Sequence, residues 1–89
     1  MAHTWEADPS ATFVRRLGKS AAELGHSKDE EECPDIWQLS NGDIAVVGRD
    51  LTSHYRQHLP GGVNLGPDER LVVIPGDMLS AAKADIPDA

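Results

Sequence analysis

The residues of this sequence best suited to chemistry are two histidines, His54 and His58, which stand one helical turn apart. On a helix this spacing lets two imidazoles share a metal ion. The metalloprotease pattern also needs a glutamate directly after the first histidine, and Tyr55 occupies that position. His26 and Cys33 are the candidates for a third ligand. Histidines at the boundary of a helix usually pack against it, and a metal or small-ligand site at His54 and His58 is the alternative.

Other catalytic or cofactor-binding patterns are missing from the sequence. Cys33 follows a run of glutamates, which disfavours the thiolate that a nucleophilic cysteine needs. Three aspartates, Asp8, Asp50 and Asp77, stand where helices are expected to begin, so each has a structural role. The glycines lack the lysine and the spacing of a phosphate-binding loop. These observations favour a non-enzymatic protein with no bound cofactor.

Composition narrows the class of partner. The chain has 89 residues, with 8 Lys and Arg against 15 Asp and Glu, a net charge of −7. Nucleic-acid binding draws much of its affinity from cations on phosphates, and the only dense basic group is Arg15, Arg16 and Lys19. No apolar stretch approaches the ~20 residues that span a bilayer, and the start does not resemble a secretory signal. The single cysteine excludes an internal disulfide. We expect a cytoplasmic protein with neither a nucleic-acid nor a membrane partner.

Residues 1–8 are predicted to be a flexible N-terminal arm, and residues 9–89 a single α+β domain. After Asp8-Pro9, which is typical of a helix start, apolar residues recur at helical spacing up to Gly25 and predict one helix. Gly18 is unfavourable inside a helix, and Ser20 with Glu23 is typical of a capping box, so we expect a kink there.

The strongest local signal is a β-hairpin. Two apolar runs, 35–39 and 43–47, flank Asn41-Gly42, the pair favoured in a two-residue type I′ turn. With that turn, Leu39 faces Ile44 and Trp37 faces Val46. These four residues then share one face, which we predict to bind a partner.

Three further elements follow the hairpin. A short helix is expected to carry Leu51, Tyr55 and Leu59, and residues 71–74 form an unbroken apolar run that predicts a central strand. A last helix, capped by Asp77, places four apolar residues on one side: Met78, Leu79, Ala82 and Ile86. The predicted order is α-β-β-α-β-α, a small three-stranded sheet with packed helices. Both sheet faces are apolar and the helices are short, which favours a homodimer or a protein partner.

Several segments also resemble a known group of proteins. The run from Cys33 to Trp37, then Gly42-Asp43, Ala45 to Gly48, Gly66 to Glu69 and Val72 to Pro75 are similar to small uncharacterised proteins of high-GC actinobacteria. The resemblance covers most of the chain after the acidic run, and it implies a compact module with no known activity. With no catalytic pattern in the chain, we predict a non-enzymatic protein-interaction or regulatory accessory module, the alternative being the metal or small-ligand protein.

Overall fold

A computed structural model describes residues 5–26 and 34–86, and it has a mixed α/β fold. A three-stranded antiparallel sheet contains β1 (Phe13–Arg16), β2 (Asp35–Leu39) and β3 (Ile44–Val47), in that order across the sheet. A second sheet pairs β4 (Arg49–Asp50) with β5 (Val72–Val73). The helices are α1 (Thr52–Tyr55) and α2 (Gly76–Ala82), and a 3-10 turn at Lys83–Asp85 follows α2.

The predicted first helix is wrong, because its residues form β1 and a turn. β1 pairs with β2 and contains a bulge between Phe13 and Arg15. The Leu17 N–H then donates to the Ile36 carbonyl at 2.8 Å. Gly18 follows with φ +81°, a conformation that only glycine adopts readily, and it turns the chain out of the strand. Gly18, which interrupts the predicted helical pattern, therefore marks the place where the chain leaves strand β1.

The capping box is confirmed, although it organises a turn instead of a long helix. The Ser20 N–H donates to Glu23 Oε1 at 3.1 Å, and the Glu23 N–H donates to Ser20 Oγ at 3.2 Å. The Ser20 N–H and, to a smaller extent, the Ser20 hydroxyl stabilise the Glu23 carboxylate and lower the pKa of Glu23. The reciprocal pair places Ala21 and Leu24 against the core.

The hairpin is confirmed, but its turn is one residue longer than predicted. The Leu39 N–H donates to the Asp43 carbonyl at 2.8 Å, and the Gly42 N–H donates to the Leu39 carbonyl at 3.0 Å. Gly42 has φ +90°, whereas Asn41 has none of the positive φ that a type I′ turn requires. Asn41 instead accepts the Asp43 N–H on its side-chain oxygen at 3.0 Å. This arrangement fits a three-residue loop with glycine in the left-handed position.

The longer turn shifts the register by one residue, so the predicted partner-binding face does not exist as a single face. Trp37 lies opposite Ala45 and Ile36 opposite Val46. Since side chains alternate along a strand, Ile44 and Val46 lie on one face while Trp37 and Leu39 lie on the other. We call the first the inner face (Ile36, Gln38, Ile44 and Val46) and the second the outer face (Trp37, Leu39, Ala45 and Val47).

The predicted central strand at 71–74 is also wrong. Only Val72 and Val73 are in a strand, they are 39% and 42% exposed, and they pair with β4 and not with the hairpin. Gly48 explains the switch between sheets, because a Cβ there would lie 2.6 Å from the Val73 carbonyl oxygen. The absence of a side chain lets β5 approach the chain just beyond β3.

The core is small and lies between the inner face and α2. Leu17, Ile36, Met78 and Ala82 form it, with Met78 the largest fully buried side chain. A short helix does follow the hairpin, but α1 ends at Tyr55, so Leu59 lies beyond it; the Thr52 N–H donates to Asp50 Oδ1 at 2.9 Å. A last helix also forms, but α2 ends at Ala82, so Ile86 lies beyond it, and its N-cap is Pro75 and not Asp77.

No helix in the described segments, 5–26 and 34–86, is long and apolar enough to cross a membrane.

Candidate functional site

A groove of about 250 Å³ opens where α2 and the inner face of the sheet diverge. Every residue that lines it is apolar: Leu17, Ile36, Ile44, Val46, Ile74, Leu79, Ala82 and Ile86. β2 and β3 supply one wall, and α2 with the residue after its 3-10 turn supplies the other. We refer to this feature as the apolar groove.

The groove is open because the rest of the chain covers only part of several side chains that line it. Ile44 and Val46 are 49% and 43% exposed, although they lie on the face that carries the core. On the opposite wall, Leu79 is 62% exposed and Ile86 51% exposed. The sequence pattern predicts Leu79 and Ile86 on the same side of the last helix as Met78 and Ala82, but of these four residues only Met78 and Ala82 are buried. Four large aliphatic side chains therefore remain available to another apolar surface.

A hydrogen-bond network holds the far wall in position. Arg15 Nη2 donates to the Asp85 carbonyl at 2.6 Å, while its Nε donates to Gln38 Oε1 at 3.0 Å. The Gly18 N–H donates to Asp85 Oδ2 at 2.7 Å. These bonds tie the 3-10 turn to β1 and β2, and so they fix the place of Ile86 at the mouth of the groove.

The outer face is covered in a different way. The Phe13 and Trp37 rings lie 5.6 Å apart, and the Arg16 guanidinium lies 4.9 Å from the Trp37 ring centroid. Arg16 also makes two bonds to the Asp35 carboxylate, at 2.8 and 3.1 Å. Trp37 is thus engaged within the chain, whereas Phe13 is still 60% exposed. Arg16 thus contacts the outer face, whereas Arg15 bonds to Gln38 of the inner face. Because they lie on opposite faces of the sheet, the two arginines do not form a single basic patch.

The predicted metal ligands lie on α1 and the turn that follows it. The His54 and His58 rings are 6.3 Å apart, and His54 makes an edge-on contact with Tyr55 at 4.7 Å. Both histidines are exposed. Among residues 5–26 and 34–86, no three His, Cys, Asp or Glu side chains come together as a metal site. Cys33, one of the two suggested third ligands, lies outside the described residues.

His26, the other suggested third ligand, has a different partner. Its Nε2 lies 2.7 and 2.9 Å from the two carboxylate oxygens of Asp77, in the first turn of α2. His26 also lines a second cavity, of about 530 Å³, together with residues that include Pro34, Gly48 and Pro75. Sequence analysis missed this pair, because 51 positions separate the two residues and no local pattern connects them.

Comparison with protein-family models, with curated proteins and with solved structures found no match to this chain.

Proposed function

We propose that this protein is a non-enzymatic protein-interaction module, a regulatory accessory factor of the cytoplasm, and that the apolar groove is its binding surface. One observation carries the proposal: four aliphatic side chains, those of Ile44, Val46, Leu79 and Ile86, are 43–62% exposed around a groove whose described lining residues are all apolar. Exposed apolar surface of this kind marks sites that another chain covers. A protein surface supplies the broad apolar cover that such a groove lacks.

The composition of the lining favours a protein over a small molecule. Small-ligand sites combine apolar walls with a few polar groups that fix the orientation of the ligand. The apolar groove offers no such group among the residues that line it. Burial of apolar area there contributes about 25 cal/mol per Å² before the entropic cost of association is subtracted.

Site-specific photo-crosslinking tests the proposal. Leu79 is replaced by a photoreactive phenylalanine analogue, and the full chain is irradiated in its own cells. We expect one dominant protein adduct, which a second change, Ile86→Asp, removes because it places a carboxylate at the mouth of the groove.

The matched control carries the same analogue at Val63, a loop residue that is 46% exposed and lies outside the groove. An adduct with any protein, including a second copy of the chain, supports the proposed function when the control lacks it. If position 79 gives the same products as position 63, the groove is not a protein-binding surface.

A second candidate function rests on the His54 and His58 spacing. Their rings lie 6.3 Å apart on one exposed stretch, so both imidazoles could reach one ion if their rotamers adjusted. We propose metal or small-ligand binding there as the alternative function.

Zinc is the probe for that alternative. If the two histidines bind it, zinc raises the Tm of the wild type, because it binds the folded state preferentially. The double variant His54→Ala/His58→Ala should then lose the shift. The Gln57→Ala variant is the matched control, since it truncates an exposed side chain between the two histidines and leaves both imidazoles in place. An equal shift in the double variant and the wild type would rule out these ligands.

A further inference from the structure

We propose that a second copy of this protein joins the first through the free edge of β3, so that a two-fold dimer with a continuous six-stranded sheet forms and the two apolar grooves adjoin. The inference rests on the proposed function and names the partner of the same surface. Three features of β3 support it: its unused backbone groups, its lack of protection, and the charges at its ends.

The backbone of β3 has an unused edge. The Ile36 carbonyl accepts a bond from Leu17 of the β1 side, so the backbone groups of Ile36 point away from β3. Val46 lies opposite Ile36. Because the backbone groups of Ile36 point away from β3, these two residues form a non-hydrogen-bonded pair of the antiparallel ladder. The N–H and C=O groups of Val46 therefore point to the other side of β3. Ile44, two residues earlier, has the same orientation. No strand in the described part of the chain pairs with that side.

This edge lacks the features by which proteins protect exposed strands. Charges, prolines and bulges normally keep edge strands from pairing with other chains. β1, the opposite edge of the sheet, has two arginines and a bulge. β3 reads Ile-Ala-Val-Val, with no charge and no proline, and it pairs with β2 without a break in register. The sheet is thus protected on one edge and open on the other.

The charges at the two ends of β3 are complementary to each other. Asp43 comes directly before β3, and Arg49, two residues beyond the end of β3, is the first residue of β4 and lies opposite Val73. In an antiparallel pair of β3 strands centred on Val46, Val46 faces its own counterpart. Asp43 then lies opposite Arg49 of the second copy, and the same pair recurs on the other side of the axis. The register also satisfies the backbone, because Ile44 and Val46 point outward and are the residues that exchange hydrogen bonds. A parallel arrangement would place like charges together.

The dimer also extends the apolar groove. Ile44 and Val46 line the groove and belong to the edge strand, so the two grooves adjoin across the axis. The apolar side chains of the two inner faces become neighbours on one side of a single sheet. A two-fold interface needs a patch that is complementary to itself, and this strand with its flanking charges meets that requirement.

Charge exchange at the ends of β3 tests the register. Sedimentation or light scattering across the micromolar range should give a mass of twice 9.6 kDa for the wild type. Asp43→Arg and Arg49→Asp each place two pairs of like charges across the axis, and we expect each to weaken the dimer about tenfold or more. The combined variant restores both attractions and should lie within about threefold of the wild type.

The direction of the Asp43→Arg effect is diagnostic. This change raises the net charge by two, from −7 to −5, which reduces overall repulsion between copies. Dimerisation driven only by general apolar contact would therefore strengthen, whereas pairing in the proposed register weakens.

Lysine substitutions provide the second, independent variant. Val46→Lys places two ammonium groups beside the axis and should abolish the dimer, while Val63→Lys adds the same charge at a residue of similar exposure, 46% against 43%, and should leave it intact. A mass of 9.6 kDa throughout would overturn the dimer. If photo-crosslinking at position 79 still captured another protein, the proposed function would stand without it. A dimer that none of these changes affects would overturn the β3 register.

Discussion

Gly18→Ala is expected to remove about 2–5 kcal/mol of folding free energy, a large part of what a chain of this size has. Gly18 has φ +81°, and a left-handed conformation costs a residue with a side chain about 1–2 kcal/mol. A Cβ would also lie 2.7 Å from the Ala82 nitrogen and 2.8 Å from the Ala81 carbonyl carbon. Since these are helix backbone atoms, α2 itself must move, at a further cost of about 1–3 kcal/mol. Urea denaturation measures the sum.

Gly25→Ala separates the two contributions. Gly25 has φ +80°, nearly the same as Gly18, but nothing lies within 4 Å of its added Cβ. We expect it to lose only the conformational part, about 1–2 kcal/mol. Equal losses in the two variants would show that α2 does not lie against Gly18 as described.

Met78→Ala is expected to destabilise the protein by about 2–5 kcal/mol, because it leaves a cavity in a core that has few other large side chains. Met78 is 1% exposed and lies among Leu17, Ile36 and Ala82. Its neighbour Leu79 is 62% exposed on the same helix, so Leu79→Ala should cost about 0.5 kcal/mol or less in the monomer. Urea denaturation at a protein concentration where sedimentation gives a mass of 9.6 kDa keeps any association out of the comparison.

For association with a partner, the order of the two effects should be reversed, so that Leu79→Ala has the larger effect and Met78→Ala the smaller one. Leu79→Ala removes a wall of the apolar groove and should weaken association, while Met78→Ala acts on folding. If Leu79→Ala unfolded the protein as strongly as Met78→Ala, the division of α2 into a core side and a groove side would be wrong.

The hairpin was predictable because its signal is local. Asn41-Gly42 between two apolar runs specifies a turn wherever the rest of the chain goes. The register was not predictable to one residue, because the Asn41 side chain bonds to the Asp43 N–H and lets the loop contain three residues. Because side chains alternate between the two faces of a strand, a shift of one residue places Trp37 and Ile44 on opposite faces of the hairpin instead of on the same face.

The first element was missed because its apolar spacing fits two structures. Leu17, Ala21 and Leu24 recur at helical spacing, yet they reach the core from a strand end and a capped turn. Pairing of β1 with β2 decides between the two structures, and that pairing joins residues more than twenty positions apart. Gly18 was the local clue, since glycine is unfavourable in a helix and suited to positive φ.

Two of the four residues predicted to bind a partner lie at the candidate site. Ile44 and Val46 were expected to bind a partner and do line the apolar groove. Trp37 and Leu39 lie on the outer face, where Phe13 and Arg16 contact Trp37. The other wall could not be inferred, because the exposure of Leu79 and Ile86 depends on how α2 is set against the sheet, and Arg15 and Asp85 help to fix that placement.

The most direct test of the central claim is an isotope-filtered NMR experiment on a mixture of labelled and unlabelled protein at a concentration where the dimer forms. The account predicts intermolecular contacts from the methyl groups of Ile44 and Val46, with Val46 close to its own counterpart. Intermolecular contacts confined to Phe13 and Trp37 on the outer face, or none at all, would contradict it.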